Sequence, residues 1–304
     1  QALPESRVDF LTREEDAPLP EALGLFGRVF RLGGGRNPWA QKLAVLLLWP
    51  RLRREGYQVV LDLQRNGISR WLRRQLTPSA WCAFDRFAPC WAGERYRQAI
   101  EATGVVQSLP WQPIGLPENL PLPDLPAMPE GTVPVVLNPA GYFPTRNWPL
   151  ERYLELADLL QAYFGGRARF VFLGLERIKT KVSYLSRQLG DSAVDLVGRT
   201  SALEALAVVQ RARLVVSEDS GLAHLAWAAR RPLVLLLGSS RAEWSAPPGN
   251  WVRCLDSSDL PCGGCLQARC PYGDVHCLSR YSAGQVFAHC RRLLQQQERD
   301  EAVS

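Results

Sequence analysis

A short polar turn, Ser217-Glu218-Asp219-Ser220-Gly221, separates an apolar run from a helix-forming run. It offers the densest set of groups in the chain for holding an anion. Before it, Leu214, Val215 and Val216 have the apolar, β-branched character of a buried parallel strand. After it, Leu222 to Ala229 continue as a helix ended by Pro232, and Leu233 to Leu237 form a second buried strand closed by Gly238-Ser239-Ser240. Parallel strands joined by a helix put such a turn at the carboxyl edge of the sheet, where open α/β sheets bind ligands. The helix start contributes free N–H groups and a partial positive charge, which suit a phosphate. Asp219 adds a carboxylate and Ser220 a hydroxyl at the same point. The same residues also describe an ordinary capped helix with Asp219 as its cap.

Two other clusters carry chemistry. Six of the eight cysteines lie between Cys254 and Cys290, and Cys262-x2-Cys265-x4-Cys270-x6-Cys277 has spacing compatible with a tetrahedral zinc site. His276 and His289 lie close by. In a reducing compartment such a set favours a metal over disulfides. The expectation is a structural zinc clip on a Cys-rich insertion at 254–277, with disulfides or free thiols as the alternative. Cys254 and Cys290 fall outside the set, and Cys82 and Cys90 read as buried or reactive singles. The second cluster follows the strand Tyr57 to Leu63. A turn, Gln64 to Gly67, and a helix, Ile68 to Leu76, carry Arg65, Arg70, Arg73 and Arg74. These arginines describe either a site for an anionic acceptor or a solvated basic face.

The elements that must position these groups alternate. At 304 residues the chain exceeds one ordinary core, so two domains are expected. Eight prolines between 109 and 134 make a stiff connector, which divides a domain at 1–130 from one at 131–304. The second half reads as strand and helix in turn, including a Ser201-to-Glu204 capping box, and implies a doubly wound parallel sheet. Gln1 to Glu5 read as the end of a helix. Trp39 to Arg54 reads as a helix that Pro50 should kink or break. Pro149 is expected at the first position of another helix. Apolar content of 46% and charged content of 22% are those of an ordinary globular protein. A net charge of +6 suits an anionic ligand, an acidic membrane surface or nucleic acid. No apolar run reaches the ~18 residues of a spanning helix, and the polar, acidic opening lacks a signal-peptide pattern.

Four stretches resemble glycosyltransferase family 9, the ADP-heptose:lipopolysaccharide heptosyltransferases. They are NPAGYFPTRNWPLERYLELADLL, FVFLGLER, the block from VGRTSALEALAVV to LVLLLGSS, and VLDLQRNGISRWLRR. The resemblance implies an α/β fold of GT-B type, with two Rossmann-like doubly wound domains facing across a cleft. It implies an inverting transferase that moves heptose from ADP-heptose to a lipopolysaccharide core or related saccharide. The donor site would comprise Asn138, Pro139, Ala140 and Gly141 in a lining loop, Arg146 at the family's Lys/Arg position, and the Ser220 and Gly221 N–H groups. Asp219 would hold the sugar hydroxyls or the loop, and Glu176 would accept from the ribose. His224 is expected to pack behind the turn or to act as an acid. No catalytic cofactor is implied. Family members open with a strand, a "G-D" loop and a helix whose Asp is the proposed base. That motif is not found here, so the first domain is expected to lack its N-terminal strand. Asp62, inside a later strand, is a poor substitute.

The expected partners are thus a nucleotide-diphosphate sugar and a lipid-linked saccharide, with peripheral contact to anionic lipid at the inner face of the cytoplasmic membrane and no nucleic acid. Two alternatives stand beside the transferase. One is a nucleotide-sugar binding protein without transfer. The other is a zinc-bearing nucleic-acid binder, disfavoured because arginines do not gather around the cysteines.

Overall fold

The computed structural model describes residues 6–303 except 36, 84, 86, 109–114 and 127. The helical reading of Gln1 to Glu5 and the first part of the proline-rich connector lie outside the described residues. The chain divides into two compact units, Gln1–Pro117 and Glu118–Ser304. The division falls inside the proline-rich stretch. Its later part belongs with the second unit, because Leu122, Leu125, Pro126 and Met128 lie over Pro134, Val171, Val194 and Val208.

In the first unit the elements are β1 (Asp9–Arg13), α1 (Pro18–Leu23), β2 (Arg28–Leu32), α2 (Pro38–Arg54), β3 (Val59–Asp62), α3 (Gly67–Leu76), β4 (Ala80–Ala83) and α4 (Ala92–Glu101). The strands form two separate parallel pairs, β1 with β2 and β3 with β4. One edge of β1 and one edge of β3 therefore have no ladder partner among the described residues. Among the described residues one core cluster joins Phe30, Leu52 and Leu72, with Leu48, Trp49, Tyr57 and Trp71 against them.

Helix α2 starts cleanly, with the Asn37 side chain accepting from the Trp39 and Ala40 amides and Pro38 in the first turn. It then runs through Pro50 without the break that the proline could have caused. Pro50 withholds its bond only from the Leu46 carbonyl, and both residues are exposed, so water satisfies that oxygen.

The second unit contains β5 (Val133–Asn138), α5 (Leu150–Tyr163), β6 (Ala168–Phe172), α6 (Lys179–Leu189), β7 (Ala193–Asp195), α7 (Ala202–Arg211), β8 (Leu214–Glu218), α8 (Gly221–Ala228), β9 (Leu233–Leu236), α9 (Ala242–Ser245), β10 (Val252–Leu255), α10 (His276–Ser279) and α11 (Ala283–Val303). Six parallel strands form one sheet in the order β10-β9-β8-β5-β6-β7. Every residue of β8 and β9 is buried, as expected where helices cover both faces. The core joins Leu137, Tyr153, Leu160, Phe170, Phe172, Leu185, Val216 and Leu294. The Ser201–Glu204 capping box opens α7 as its sequence requires. Pro149 occupies the cap position of α5 rather than its first helical position.

Candidate functional site

Strands β5 and β8 are neighbours at the centre of the second sheet, and the chain winds outward from them in opposite directions. This reversal opens a crevice at their carboxyl ends. Both strands end in polar residues that are completely buried, Asn138 and Glu218. Such groups are tolerated only when hydrogen-bonded.

The Glu218 carboxylate accepts from the Gly141 amide (2.6 Å), the Trp148 amide (2.7 Å) and the Tyr153 hydroxyl (3.2 Å). Burial pushes this carboxyl up to about 7, against the opposing pull of the Lys181 charge and of the donors. Lys181 Nζ donates to the Pro139 carbonyl (3.1 Å) and to Asn147 Oδ1 (2.9 Å), and burial lowers its pKa. Arg177 donates to the Ala140 carbonyl (3.1 Å). The loop from Asn138 to Trp148 is thus pinned by β8 on one side and by the start of α6 on the other.

Asn138 Nδ2 donates to Ser217 Oγ (2.9 Å) and Ser220 Oγ (2.7 Å), while its Oδ1 is buried without a hydrogen-bond partner. This grip explains how α8 begins. Ser220 is its cap residue in extended conformation, but no side chain caps the helix. Asp219 is not the cap either, contrary to the simpler reading of the turn. Its carboxylate faces Arg146, with Nη1 at 3.1 Å, and accepts from the Ser240 hydroxyl. Arg146 Nε is buried without a partner.

Two glycines allow this close folding. A Cβ on Gly141 would stand 2.2 Å from the Arg146 carbonyl oxygen, and one on Gly238 would stand 2.0 Å from that of Thr145. Any side chain at either place would displace the turn that carries Arg146.

The structure therefore brings Asn138, Pro139, Gly141, Arg146, Asp219, Ser220 and Gly221 together at the β5–β8 crevice. Glu176 is exposed beyond the carboxyl end of β6, one strand away. Its carboxylate lies over Gly198, where a Cβ would approach Oε2 to 2.2 Å. His224, one turn into α8, is exposed at the surface; desolvation by the protein around it lowers its pKa, and Asp219 opposes that. Sequence reasoning missed Glu218 and Lys181 as the residues that hold the loop. The signal for Glu218 was a carboxylate that follows Ser217 at the end of a strand opened by three buried apolar residues. Lys181, one of few lysines in an arginine-rich chain, gave no positional signal.

The family model for Glycosyltransferase family 9 (heptosyltransferase) matches residues 94–276, more than half of the chain. The chain belongs to glycosyltransferase family 9. This family 9 protein is 27% identical to lipopolysaccharide heptosyltransferase 1 of Pseudomonas aeruginosa over 297 residues, 90% of the chain and 81% of that relative. It is 31% identical to lipooligosaccharide heptosyltransferase 2 of Haemophilus influenzae over 109 residues, 36% of the chain. That match spans about a third of the Haemophilus protein's length, 32%. The solved structure of Escherichia coli ADP-heptose lipopolysaccharide heptosyltransferase II superposes with a TM-score of 0.70 at 19% identity, covering 97% of the chain and 91% of that structure. The fold is accordingly of GT-B type, with two Rossmann-like α/β units.

In the first unit of the family 9 protein, Asp62 ends β3 and is buried. Its Oδ1 accepts the Gln64 (3.3 Å) and Arg65 (2.9 Å) amides, so it holds the turn before α3. Arg73 lies 3.9 Å from its other oxygen and stacks on Trp81 at 3.5 Å. Of the basic cluster, Arg73 serves packing as well as charge.

Proposed function

We propose that the chain is an inverting glycosyltransferase that takes heptose from ADP-heptose to a lipopolysaccharide core or related saccharide acceptor. One observation carries this reading: the start of α8, without a side-chain cap, meets the Arg146–Asp219 pair at the switch point of a Rossmann sheet. Breaking the bond between sugar and diphosphate leaves negative charge on the phosphate as the sugar gains oxocarbenium character. The α8 N–H groups and the Arg146 guanidinium face that charge from preorganised positions. Arg146 exchanges part of its contact with Asp219 for the diphosphate, and Asp219 turns to the sugar hydroxyls. Glu176, over Gly198, takes the ribose hydroxyls. On this reading helix and arginine do the neutralising, and catalysis requires no divalent metal.

Calorimetric titration with ADP-heptose, ADP and UDP, without added metal, tests it. ADP ligands bind more tightly than UDP, and Asp219→Ala weakens ADP-heptose by about tenfold or more, the value of a hydrogen bond to a charged group. Absence of binding by a demonstrably folded chain would overturn the reading. Binding without transfer to any saccharide acceptor would leave a nucleotide-sugar binding protein.

The acceptor is read as lipid-linked, reached by peripheral contact with anionic lipid at the inner face of the cytoplasmic membrane. No helix among the described residues is long and apolar enough to cross a membrane. Support for surface contact comes from α2. Trp39, Leu43, Leu46 and Leu47 are exposed at i, i+4, i+7 and i+8, which is one face of the helix. Lys42, Arg53 and Arg54 rim that face. An exposed apolar stripe bordered by cations suits the headgroup region of an anionic bilayer. Replacing both Leu43 and Leu47 by Asp is expected to cut co-sedimentation with anionic vesicles by about tenfold per leucine, from the apolar area withdrawn. Unchanged sedimentation would remove α2 from the membrane contact.

A further inference from the structure

Helices α7, α8 and α11 each begin after a serine, but the three serines do not behave alike. Ser201 precedes α7 at φ −69° and ψ 167°, and its hydroxyl accepts from the Glu204 amide (3.2 Å). Ser282 precedes α11, and its hydroxyl accepts from the Gln285 amide (3.3 Å). Ser220 precedes α8 with nearly the ψ of Ser201, 164°, yet its φ is −156° and its hydroxyl caps nothing. Serine is among the residues that cap helices best. What holds Ser220 back must therefore lie outside α8.

The restraint is Asn138. Its Nδ2 donates to Ser220 Oγ (2.7 Å) and to Ser217 Oγ (2.9 Å). The two serine oxygens lie 3.1 Å apart, and Ser217 Oγ donates in turn to the Glu218 carbonyl (2.7 Å). Asn138 stands opposite Ser217 in the β5–β8 ladder, so the central strand pair fixes the tether. Asn138 is completely buried, and its Oδ1 has no hydrogen-bond partner. A Cβ on Gly174 would stand 3.8 Å from that oxygen. A buried acceptor left without a donor costs stability, and α8 forgoes the gain from a cap. Two local preferences are thus overridden at one residue, which is typical of positions where geometry serves binding.

We propose that Asn138 is a positioning residue that withholds the Ser220 hydroxyl from α8 and so keeps the first amides of that helix open to the donor's diphosphate. The proposal rests on the donor site described under the proposed function. Gly221, the first residue of α8, is exposed, and the Ala223 amide reaches the Ser220 carbonyl at 3.2 Å. With Ser220 Oγ held by Asn138, no side chain competes with an anion for the helix start. Without the tether the hydroxyl rotates to the usual cap geometry and accepts from Leu222 or Ala223. It then occupies the place of a phosphate oxygen.

A double-mutant cycle tests this, read by calorimetry with ADP and with pyrophosphate. Asn138→Leu is expected to weaken both ligands about tenfold, the value of a hydrogen bond to a charged group. In a Ser220→Ala background no hydroxyl remains to cap the helix, and the same substitution should cost less than about twofold. An asparagine that only supports the fold would cost the same in both backgrounds, and that result would overturn the proposal. Amide exchange gives a readout independent of nucleotide. Leu222 or Ala223 should slow about fivefold in Asn138→Leu, as a newly capped amide does, and not in the double variant. Unchanged exchange at both amides would also overturn the proposal. Should the wild type bind neither ADP nor pyrophosphate, the donor reading fails, and the exchange comparison still decides what Asn138 does to the helix. If Asn138→Leu does not fold, Asn138→Ser, too short to reach both hydroxyls, takes its place in every arm.

Discussion

Arg146→Ala is expected to lower kcat/KM for sugar transfer by about 100- to 1,000-fold while leaving the protein folded, the loss seen when one preorganised donor to a developing anion is removed. The side chain is 20% exposed and paired with Asp219. Its Nε is buried with no hydrogen-bond partner, so the guanidinium has one donor unused. Charge on the departing diphosphate is greater in the transition state than in the bound donor. The loss should therefore fall mainly on kcat, with a smaller change in ADP affinity. Arg146→Lys keeps a cation but loses the planar fork, and should recover only part of the rate. Steady-state kinetics beside ADP calorimetry make the comparison. Equal kcat for wild type and Arg146→Ala would move the diphosphate away from this loop.

Replacing Glu218 should have the largest effect on stability. Glu218→Ala leaves the Gly141 and Trp148 amides and the Tyr153 hydroxyl without their acceptor, and leaves the half-buried Lys181 without its countercharge. The expected cost is roughly 3–5 kcal/mol, that of breaking one side of a buried charged network. Glu218→Gln separates charge from shape. In the folded protein the carboxyl titrates near 7, against a usual 4.5. Across that window the native state holds a proton that the unfolded chain has released. Stability is therefore greatest below the unfolded value and falls as pH rises through the folded value, by about 3 kcal/mol in all, then levels. In Glu218→Gln that part of the slope should vanish. Urea unfolding of both proteins across the window measures it; parallel slopes would show that another group is responsible.

How far the site was legible depends on which physics each residue obeys. The turn Ser217–Gly221 could be placed because a β-branched run, a polar break and a helical run are local signals. Arg146 could be placed by its short motif. The role of Asp219 could not be settled from sequence, since a helix cap and an arginine partner call for the same residue type. Its partners come from residues 146 and 240, far away in the chain. Glu218 and Lys181 were missed for the same reason: burial and charge pairing are properties of the assembled sheet. Pro50 does not break α2. A proline breaks a helix when the carbonyl it strands is buried, and Leu46 is an exposed residue. In the first unit β3 followed from the apolar run within Tyr57 to Leu63, whereas its pairing with β4, and the separation of the two strand pairs among the described residues, concern segments distant in the chain.

That separation of β1–β2 from β3–β4 bears on how the molecule opens to solvent. A ladder with one neighbour protects amides on one side only. Amide deuterium uptake should consequently be fast along the first unit's strands, governed by small local openings. The amides between β5 and β8, central in a six-stranded sheet, should exchange only through opening of that whole unit. A nucleotide held by the second unit would slow further the amides that are already slowest and leave the fast set untouched. The exchange map would thus divide the chain into one half that answers to donor and one half that does not.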